Sequence, residues 1–252
     1  MNNYLYNYLK SNDYSKLAGQ CVDWIKNWFS ENGPESPAVV GISGGKDSSV
    51  VAALCAAALG KDRVFGVLMP DGVQPDIDVS KELVKFLGIP YAEVNVGNAV
   101  SAVKKAVCDA GLEPNSRMTI NIPPRIRMTT LYAVSQCMDG RVSNNGNRSE
   151  KYVGYSTLYG DAAGDFAPLA NFTASEVVEV GKSIGLPDMF VYKPPSDGLS
   201  GRTDEESFNF TYEQLDTYIL TGHCDDEAAL KRIESRHTAN LFKLKPMPEF
   251  VF

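Results

Sequence analysis

The sequence predicts an α/β fold in which helices cover both faces of a doubly wound, mostly parallel sheet. Short apolar runs alternate with amphipathic, helix-like segments along the first half of the chain, and this alternation is typical of parallel strands joined by crossover helices. A length of 252 residues with 44% apolar and 22% charged residues is enough for one large globular core. We therefore expect residues 1–252 to form a single domain.

The elements expected in the first half of the chain follow one another at short intervals. Apolar side chains recur at helical spacing over residues 15–31, which predicts a helix ahead of the first strand. Runs rich in apolar residues predict three strands, at residues 38–42, 64–69 and 91–96. Helix-like segments that each end at a glycine predict helices over residues 50–59, 77–87 and 98–110.

The second half of the chain is predicted to be mostly helical. A long helix is expected over residues 119–138, followed by a polar loop at residues 143–150 and a short strand at residues 152–155. Further helices are expected at residues 173–184, 211–220 and 225–236. Residues 194–201 are rich in proline, glycine and serine, which predicts a long loop with a functional role.

The strand–turn–helix at residues 38–49 carries the clearest chemical signal. After the apolar strand come the letters SGGKDSS, which open a helix. Such a turn directs backbone N–H groups and the positive end of a helix dipole at one point, where a phosphate chain can bind. Glycine allows the sharp turn, and an aspartate oxygen suits Mg²⁺. The expected nucleotide-binding residues are Gly41, Ser43, Gly44, Gly45, Lys46, Asp47 and Ser48.

Two other interpretations of this segment are less favoured. A Walker A loop does not fit, because only three residues separate Gly41 from Gly45 and because Asp47 follows Lys46 where Ser or Thr is required. An ordinary glycine–serine turn is the plain structural alternative. The strand before the turn and the helix after it favour a phosphate site over such a turn.

The net charge and the cysteine content limit the kinds of partner and the cellular compartment that we expect for this protein. A net charge of −7 argues against a nucleic-acid partner, which calls for clustered Lys and Arg. The N-terminus has no signal-peptide pattern, and no window reaches the apolar length of a membrane span. Five widely spaced cysteines without a CxxC pair fit structural thiols in a reducing compartment. We therefore expect a cytoplasmic protein that binds neither nucleic acid nor membrane.

The glycine turn resembles the SGGxDS loop of the ATP pyrophosphatase superfamily, and further motifs select one family within it. They occur in register along nearly the whole chain: NIPPRIRM at 121–128, GNRSE at 146–150, STLYGDAAGDFAPL at 156–169, PSDGL at 195–199, TDE at 203–205 and RH at 236–237. Together these segments resemble the synthetase domain of NAD synthetases. The resemblance implies an adenine nucleotide α-hydrolase-like, Rossmann-like fold.

The resemblance also implies a reaction and an assembly. ATP adenylates the nicotinate carboxylate of deamido-NAD, pyrophosphate leaves, and ammonia displaces AMP to give NAD. Some relatives carry a glutaminase domain ahead of this one, but only about 37 residues precede the first strand here, too few for a domain. We therefore expect free ammonia as the nitrogen source. The family's dinucleotide site is completed by a second subunit, so a homodimer is implied.

By the same resemblance, individual residues receive expected roles. Asp47 and Glu150 are implied as ligands of Mg²⁺, which bridges phosphate oxygens. Asp165 is a candidate proton acceptor in the ammonia step, so Asp47 and Asp165 are the expected catalytic residues. Asn145 and Ser196 fall at ATP-contacting positions. The residues implied to contact deamido-NAD are Arg125, Leu158, Asp165 and His237. For most of them a plain loop or solvated surface residue is the alternative.

Three positions depart from the family pattern. Ala174 stands where a lysine commonly touches the ATP phosphates, Thr238 replaces a second basic residue, and Leu158 replaces a lysine found in many bacterial members. A lost lysine would cost charge-assisted hydrogen bonds to phosphate. The hypothesis that follows is that Lys193 or Lys182 compensates for Ala174.

Two rival functions stay open at this point. One is another adenylating amidotransferase or thiolase of the same superfamily, such as a GMP synthetase or a tRNA-modifying enzyme; the acidic balance and the missing CxxC pairs count against the tRNA version. The other is a non-catalytic nucleotide-binding homologue, supported only by Ala174 and Thr238.

Overall fold

The computed structural model describes residues 1–192 and 204–251 of the chain. Its strands are β1 Ala38–Gly41, β2 Val64–Leu68, β3 Tyr91–Glu93 and β4 Arg141–Val142. Its helices are α1 Asn3–Ser11, α2 Tyr14–Asn32, α3 Lys46–Leu59, α4 Ile77–Leu87, α5 Gly97–Asp109, α6 Ser116–Gln136, α7 Arg148–Tyr152, α8 Ala174–Ser183, α9 Asp188–Val191, α10 Asp204–Phe208, α11 Tyr212–Thr221 and α12 Glu227–Leu244.

The described strands form one parallel sheet in the order β3-β2-β1-β4. In the centre, Gly41 lies opposite Val67, and Ala38 lies opposite both Val64 and Arg141. Beyond β3, the backbone N–H groups of Val94 and Val96 still donate to β2 and to the residues after it. The strand order changes direction beside β1, so the carboxyl ends of β1 and β4 diverge around a crevice where ligands bind in such sheets. The predicted parallel α/β fold is confirmed.

Helices cover both faces of the sheet because side chains alternate along each buried strand. Ala38 and Val40 belong to the main apolar core, which is closed by residues from α2, α3, α4 and α8. The opposite face is covered by α6. A Cβ on Gly41 would lie 3.3 Å from Leu131 of α6, so this helix packs closely over the end of β1.

A second apolar cluster lies beside the main core. It joins α7, α8, α10, α11 and α12 through Val153, Ala174, Phe208, Phe210, Tyr212, Leu215, Ala229 and Ile233. These elements all come from the second half of the chain and form one wall of the crevice described below. In the parts of the chain that the structure describes, none of the helices combines the length and apolarity that a membrane span requires.

The strand predicted at residues 152–155 is wrong. Asn147 begins a helix, since its side chain accepts a hydrogen bond from the Glu150 N–H and the Glu150 carboxylate accepts one from the Asn147 N–H. This capping box makes residues 148–152 helical and shortens the predicted polar loop. The chain then turns at Gly154, whose φ of +62° lies in the left-handed region.

Candidate active site

A cleft of about 720 Å³ opens at the carboxyl ends of the strands. The turn after β1, the residues after β2, one face of α6, the loop after β4 and the inner face of α12 line it. Parallel sheets place their ligand sites at this edge, because the loops that follow successive strands converge there. The cleft therefore lies where the sequence predicts the nucleotide site.

The turn after β1 presents an open helix end to the cleft. Gly44 has a φ of +76°, which a glycine adopts without strain. Gly45 is the N-cap of α3, and no side chain of the described residues caps this helix. The hydroxyls of Ser48 and Ser49 donate to the Gly45 carbonyl oxygen at 3.1 and 2.8 Å. The first N–H groups of α3 are thus left for an anion in the cleft.

The predicted turn residues do not all face the cleft. Its lining includes Gly41, Ser43, Gly45, Lys46, Asp47 and Ser48, whereas Gly44 shapes the turn from behind. The Ser43 and Ser48 hydroxyl oxygens lie 3.1 Å apart, so they form one hydrogen-bonded pair at the mouth of the turn.

Lys46 is buried beneath the turn rather than extended into solvent. Its Nζ lies 2.7 Å from the Asp47 carboxylate and 5.6 Å from the centre of the Tyr212 ring. Burial alone would lower the pKa of this ammonium, but neighbouring carboxylates, chiefly Asp47 and Glu150, outweigh burial and raise it. The lysine is therefore charged and balances the acids of the site.

One asparagine connects the two carboxylates expected to hold the metal ion. The Asn147 amide donates to Asp47 at 3.0 Å, and its backbone N–H donates to Glu150 at 3.2 Å. Burial, followed by the negative charge of Asp47, raises the pKa of Glu150 to about 8. A divalent cation bound by both carboxylates would remove the penalty that the charge of Asp47 imposes on ionised Glu150.

The donor set fits Mg²⁺. Mg²⁺ takes one or two protein carboxylates and completes its shell with water and phosphate oxygens. Asp47 and Glu150 supply two such carboxylates, and both line the cleft beside the open end of α3. Within residues 1–192 and 204–251, no group of three or more acidic, His or Cys side chains is arranged to hold a metal ion.

Asn145 lies on the floor of the cleft between β1 and β4. Its amide donates to the Gly41 carbonyl oxygen at 2.9 Å, and its own oxygen accepts from the Ser143 hydroxyl at 2.8 Å. The side chain thus joins the two loops that follow adjacent strands. Ser196, the other residue expected at ATP, lies outside the described residues.

Asp216 is a buried acid that the sequence analysis missed. Its carboxylate accepts hydrogen bonds from the Ser149 hydroxyl and, at 2.7 Å, from the Ser175 N–H at the start of α8. The Ser149 hydroxyl in turn accepts from the Ala174 N–H at 2.9 Å. Burial raises the pKa of Asp216 to about 6. The sequence around Asp216 predicts a helix but contains no motif that indicates a buried carboxylate contacting α7 and α8.

Comparison with known proteins identifies the family to which these features belong. A family model described as NAD synthase matches residues 17–250. This chain belongs to the NAD synthase family. A relative from Finegoldia magna, named NH(3)-dependent NAD(+) synthetase, is 39% identical over 212 residues, which are 82% of this chain and 85% of the relative. The resemblance inferred from the sequence is confirmed.

Solved structures agree with this assignment. The structure titled NMN synthetase from Francisella tularensis superposes with a TM-score of 0.87 at 30% identity, over 96% of this chain and all of that chain. An NH3-dependent NAD synthetase from Campylobacter jejuni, in complex with a nitrate ion, gives 0.77 at 28% identity over the same shares. NAD synthases are ATP-dependent carbon–nitrogen ligases, so the expected enzyme class is confirmed and the rival functions are not favoured.

The hypothesis that Lys182 compensates for Ala174 is not supported. Lys182 lies at the opposite end of α8 from Ala174, where its Nζ is 2.8 Å from Glu179 and 4.9 Å from the centre of the Tyr192 ring. Lys182 is not among the residues that line the cleft. Lys193 lies outside the described residues.

Arg125 and Leu158 meet at the rim of the NAD synthase cleft. Arg125 is exposed, and its Nε donates to the Leu158 carbonyl oxygen at 3.2 Å. Neither residue lines the cleft within the described part of the chain. Their contact with deamido-NAD stays a prediction.

Asp165 and His237 also lie outside the described cleft lining. The two Asp165 oxygens accept hydrogen bonds from the Tyr132 hydroxyl at 3.1 Å and from the Val142 N–H at 2.7 Å. His237 stacks on Tyr152 with ring centres 4.1 Å apart, and its Nδ1 lies 2.8 Å from the Tyr152 carbonyl oxygen. Their substrate roles likewise stay predictions.

The residues that do line this side of the NAD synthase cleft are neighbours of the predicted ones. On α6 the charged lining residue is Arg127, two positions after Arg125. On α12 the lining residues are Arg236, Asn240 and Lys243. Their spacing of four and three positions places them on one face of the helix, a signal that was available in the sequence.

Proposed function

We propose that this chain converts deamido-NAD into NAD. The nicotinate carboxylate attacks the α-phosphate of ATP, pyrophosphate leaves, and ammonia then displaces AMP from the acyl-adenylate. The geometry that supports this most directly is the open N-terminus of α3 beside the carboxylate pair of Asp47 and Glu150. This arrangement suits a polyphosphate with its metal ion.

The phosphate chain of ATP would bind along the turn after β1. The N–H group of Lys46, at the uncapped start of α3, and the hydroxyls of Ser43 and Ser48 offer donors on one side of the cleft. The charge of Lys46 lies below them, held by Asp47. Positioned donors of this kind stabilise charge that develops on phosphate oxygens, which supplies most of the catalysis in transfers at phosphorus.

Asp47 and Glu150 would hold Mg²⁺ when it is present. The bound ion supplies Lewis-acid neutralisation of phosphate charge. The chain's part is to fix the two carboxylates, which it does through Asn147 and the capping box of α7. No general base is needed for the first step, because a nicotinate carboxylate is already ionised at neutral pH.

The binding site for deamido-NAD would be completed at the rim of the cleft by Arg125, Leu158, Asp165 and His237. Asp165 would also accept the proton released in the ammonia step. Arg125 and Asp165 are both exposed beside α6, where a second subunit can cover them. We therefore propose a homodimer with α6 at its interface. Analytical ultracentrifugation tests this: a single species with the mass of one 27.5 kDa chain at micromolar concentration would contradict it.

A mononucleotide acid is the second candidate substrate. The neighbour titled NMN synthetase superposes more closely, at a TM-score of 0.87, than the NAD synthetase neighbour at 0.77. The chemistry of activation and amidation is the same for both acids, and the nicotinate ring and its ribose phosphate are common to them. Only the adenylate half of the dinucleotide distinguishes the two, so direct competition between them decides.

The deciding experiment is a turnover assay with ATP, Mg²⁺ and ammonium, in which deamido-NAD and nicotinate mononucleotide compete. Amide product, AMP and pyrophosphate in equal amounts are expected, with the higher kcat/KM for deamido-NAD. Asp47→Asn is the matched control, and it should abolish turnover at unchanged folding. Release of ADP and orthophosphate would overturn the proposal.

Nitrogen source and compartment complete the proposal. The relatives named NH(3)-dependent support free ammonia as the nitrogen source for residues 1–252 acting as a single domain. Equal rates with ammonium and with glutamine as the only nitrogen source would contradict this. Five free thiols support a reducing compartment, the cytoplasm. Fractionation of cells that express the tagged chain tests the location.

A further inference from the structure

Arg127 is a half-buried cation on α6 that faces the cleft. Its Nε donates to the carbonyl oxygen of Met69, just beyond the end of β2, at 3.0 Å. This hydrogen bond fixes the guanidinium plane against the backbone of the sheet edge. A guanidinium held through Nε presents its two Nη amines as a planar fork, which matches the oxygens of a phosphate or carboxylate.

In the described part of the chain, Arg127 forms no ion pair. Among the described residues no carboxylate lies within ion-pair distance of it, and no protein acceptor is found for its Nη amines. Burial lowers the pKa of the guanidinium, and the negative charges of Asp71 and Asp161 only partly oppose this. Burying a cation without a partner is costly, so the arrangement indicates that an anion completes it.

The strand register places this cation close to the phosphate-binding turn. Gly41 lies opposite Val67, and the Ile42 N–H donates to the Val67 carbonyl oxygen. Met69 follows β2 directly, and its side chain would lie 3.4 Å from a Cβ on Gly41, the last residue of β1 before the turn. Arg127 and the open end of α3 therefore face each other across the carboxyl ends of two adjacent strands, close enough for one nucleotide to touch both.

We propose that Arg127 binds the α-phosphate of the nucleotide and stabilises its charge during adenylation. This rests on the proposed function. A substrate carboxylate oxygen forms a bond to the α-phosphorus while the bond from that phosphorus to the bridging oxygen of pyrophosphate breaks, and pyrophosphate leaves with the electron pair. The turn and the carboxylate pair hold the departing end of the chain, whereas Arg127 stays with the phosphate that is retained in AMP.

Direct titration with AMP, adenosine and pyrophosphate tests this division. AMP carries the α-phosphate alone, adenosine lacks it, and pyrophosphate probes the turn. In Arg127→Met we expect the Kd of AMP to rise about 10- to 100-fold, a loss typical of charge-assisted hydrogen bonds. The Kd values of adenosine and of pyrophosphate with Mg²⁺ should change less than about twofold, the range of context effects on a distant contact.

Two further variants make the test specific. Arg117→Met removes an exposed arginine from the first turn of the same helix and should leave all three affinities unchanged. Arg127→Lys keeps the charge but loses the fork, so its AMP affinity should lie between those of the wild type and Arg127→Met. The rate of ATP–pyrophosphate exchange should fall about 100- to 1000-fold in Arg127→Met, about tenfold more than AMP affinity, because the charge on the α-phosphate grows in the transition state.

Several outcomes would overturn the assignment. The first is that the wild-type protein binds AMP no more tightly than adenosine. The second is that Arg127→Met binds AMP with unchanged affinity, which would mean that this arginine binds the nicotinate carboxylate or no anion. If Arg127→Met melts at a lower temperature, Arg127→Lys decides, and wild-type AMP affinity in it would reject the role of the fork. These titrations measure binding and need no turnover, so they test the role of Arg127 even if the protein forms no amide. Absence of amide product would reject the proposed reaction, not the role of Arg127.

Discussion

Asn147 is an uncharged residue that contacts both carboxylates of the proposed metal site. It is fully buried, begins α7, and holds Asp47 and Glu150 at 3.0 and 3.2 Å. We predict that Asn147→Ser keeps the cap of α7, because serine caps helices nearly as well, but loses the amide donor to Asp47. The Mg²⁺ concentration for half-maximal activity should then rise about 10-fold, as for other residues that orient metal ligands.

The comparison variants separate capping from metal binding. Asn147→Ala loses both functions and should also unfold more easily, by about 1–2 kcal/mol in urea titrations. Asp13→Ala removes the cap of α2, far from the cleft, and should lower stability without altering the Mg²⁺ dependence. An unchanged Mg²⁺ requirement in Asn147→Ser would show that Asp47 needs no such support.

Asp216 makes the stability of the protein depend on pH in an uncommon direction. Its pKa is about 6 when folded, against an unfolded value of 3.8, so the folded state binds the proton more tightly. The free energy of unfolding therefore gains from Asp216 below about pH 4 and loses that gain as pH rises to about 6. Asp216→Asn removes this term, which is roughly 3 kcal/mol for a shift of two units.

Urea titrations at pH 4.5 and 7 measure the effect. The stability of Asp216→Asn relative to the wild type should improve as the pH rises between these values. Asp226→Asn is a control of opposite sign, because hydrogen bonds from the start of α12 lower the pKa of Asp226, and its stabilising effect is lost as pH falls. Parallel pH curves for Asp216→Asn and the wild type would contradict the assignment.

At the scale of elements, two helical glycines have opposite roles. In α8, a Cβ on Gly181 would lie 2.5 Å from Val191 and 2.9 Å from Val50, whereas a Cβ on Gly19 in α2 would meet nothing within 4 Å. We predict that Gly181→Ala destabilises the protein by about 1–3 kcal/mol through overpacking. Gly19→Ala should stabilise it by about 0.5–1 kcal/mol, because alanine is the better helix former.

Thermal or urea unfolding of the two variants checks this pair. Because both substitutions add the same methyl group to a helix interior, helix propensity alone predicts equal gains. A stabilised Gly181→Ala variant would mean that α8 does not pack against α3 as closely as the structure shows.

Elements with a strong periodic pattern were predictable from the sequence, and weakly patterned ones were not. The helices α2 and α4 and the strand β2 follow from apolar spacing and glycine stops, and each was predicted within a residue or so of its observed bounds. The strand β4 has only two residues and lies between polar segments, so no pattern marks it. The helix α7 depends on a capping box inside a segment that otherwise resembles a loop.

At the scale of the whole molecule, the five cysteines differ in burial: two are buried, two are exposed, and Cys224 is intermediate. Burial raises the pKa of Cys21 to about 11 and raises that of Cys55 further, whereas Cys108 and Cys137 are exposed. Because the thiolate is the reactive form, we predict that a thiol reagent labels Cys108 and Cys137 in the native protein and reaches Cys21 and Cys55 only after denaturation. Peptide mass mapping resolves the sites, and native labelling of Cys55 would contradict the packing.

The site was predictable only where chemistry is local in the sequence. The turn at residues 43–48 brings its polar groups to the cleft from nearly consecutive residues, so the sequence of this segment alone predicts the phosphate site that we propose there. The facing wall comes from separate helices, where orientation decides which of two nearby residues enters the cleft. The family resemblance indicated Arg125 and His237, whereas the fold turns Arg127 and Arg236 toward the cleft. The spacing on α12 shows which residues share a face, but which face meets the cleft depends on packing between elements that are distant in the sequence.

The pairing of β4 with β1 has a consequence for how the protein reaches its folded state. Arg141 pairs beside Ala38, so the two strands that border the crevice come from opposite halves of the chain. Contacts this distant close late and slow folding, whereas helices form early. In stopped-flow refolding, far-UV circular dichroism should recover before nucleotide capture does. The catalytic pocket is then the last part of the molecule to mature.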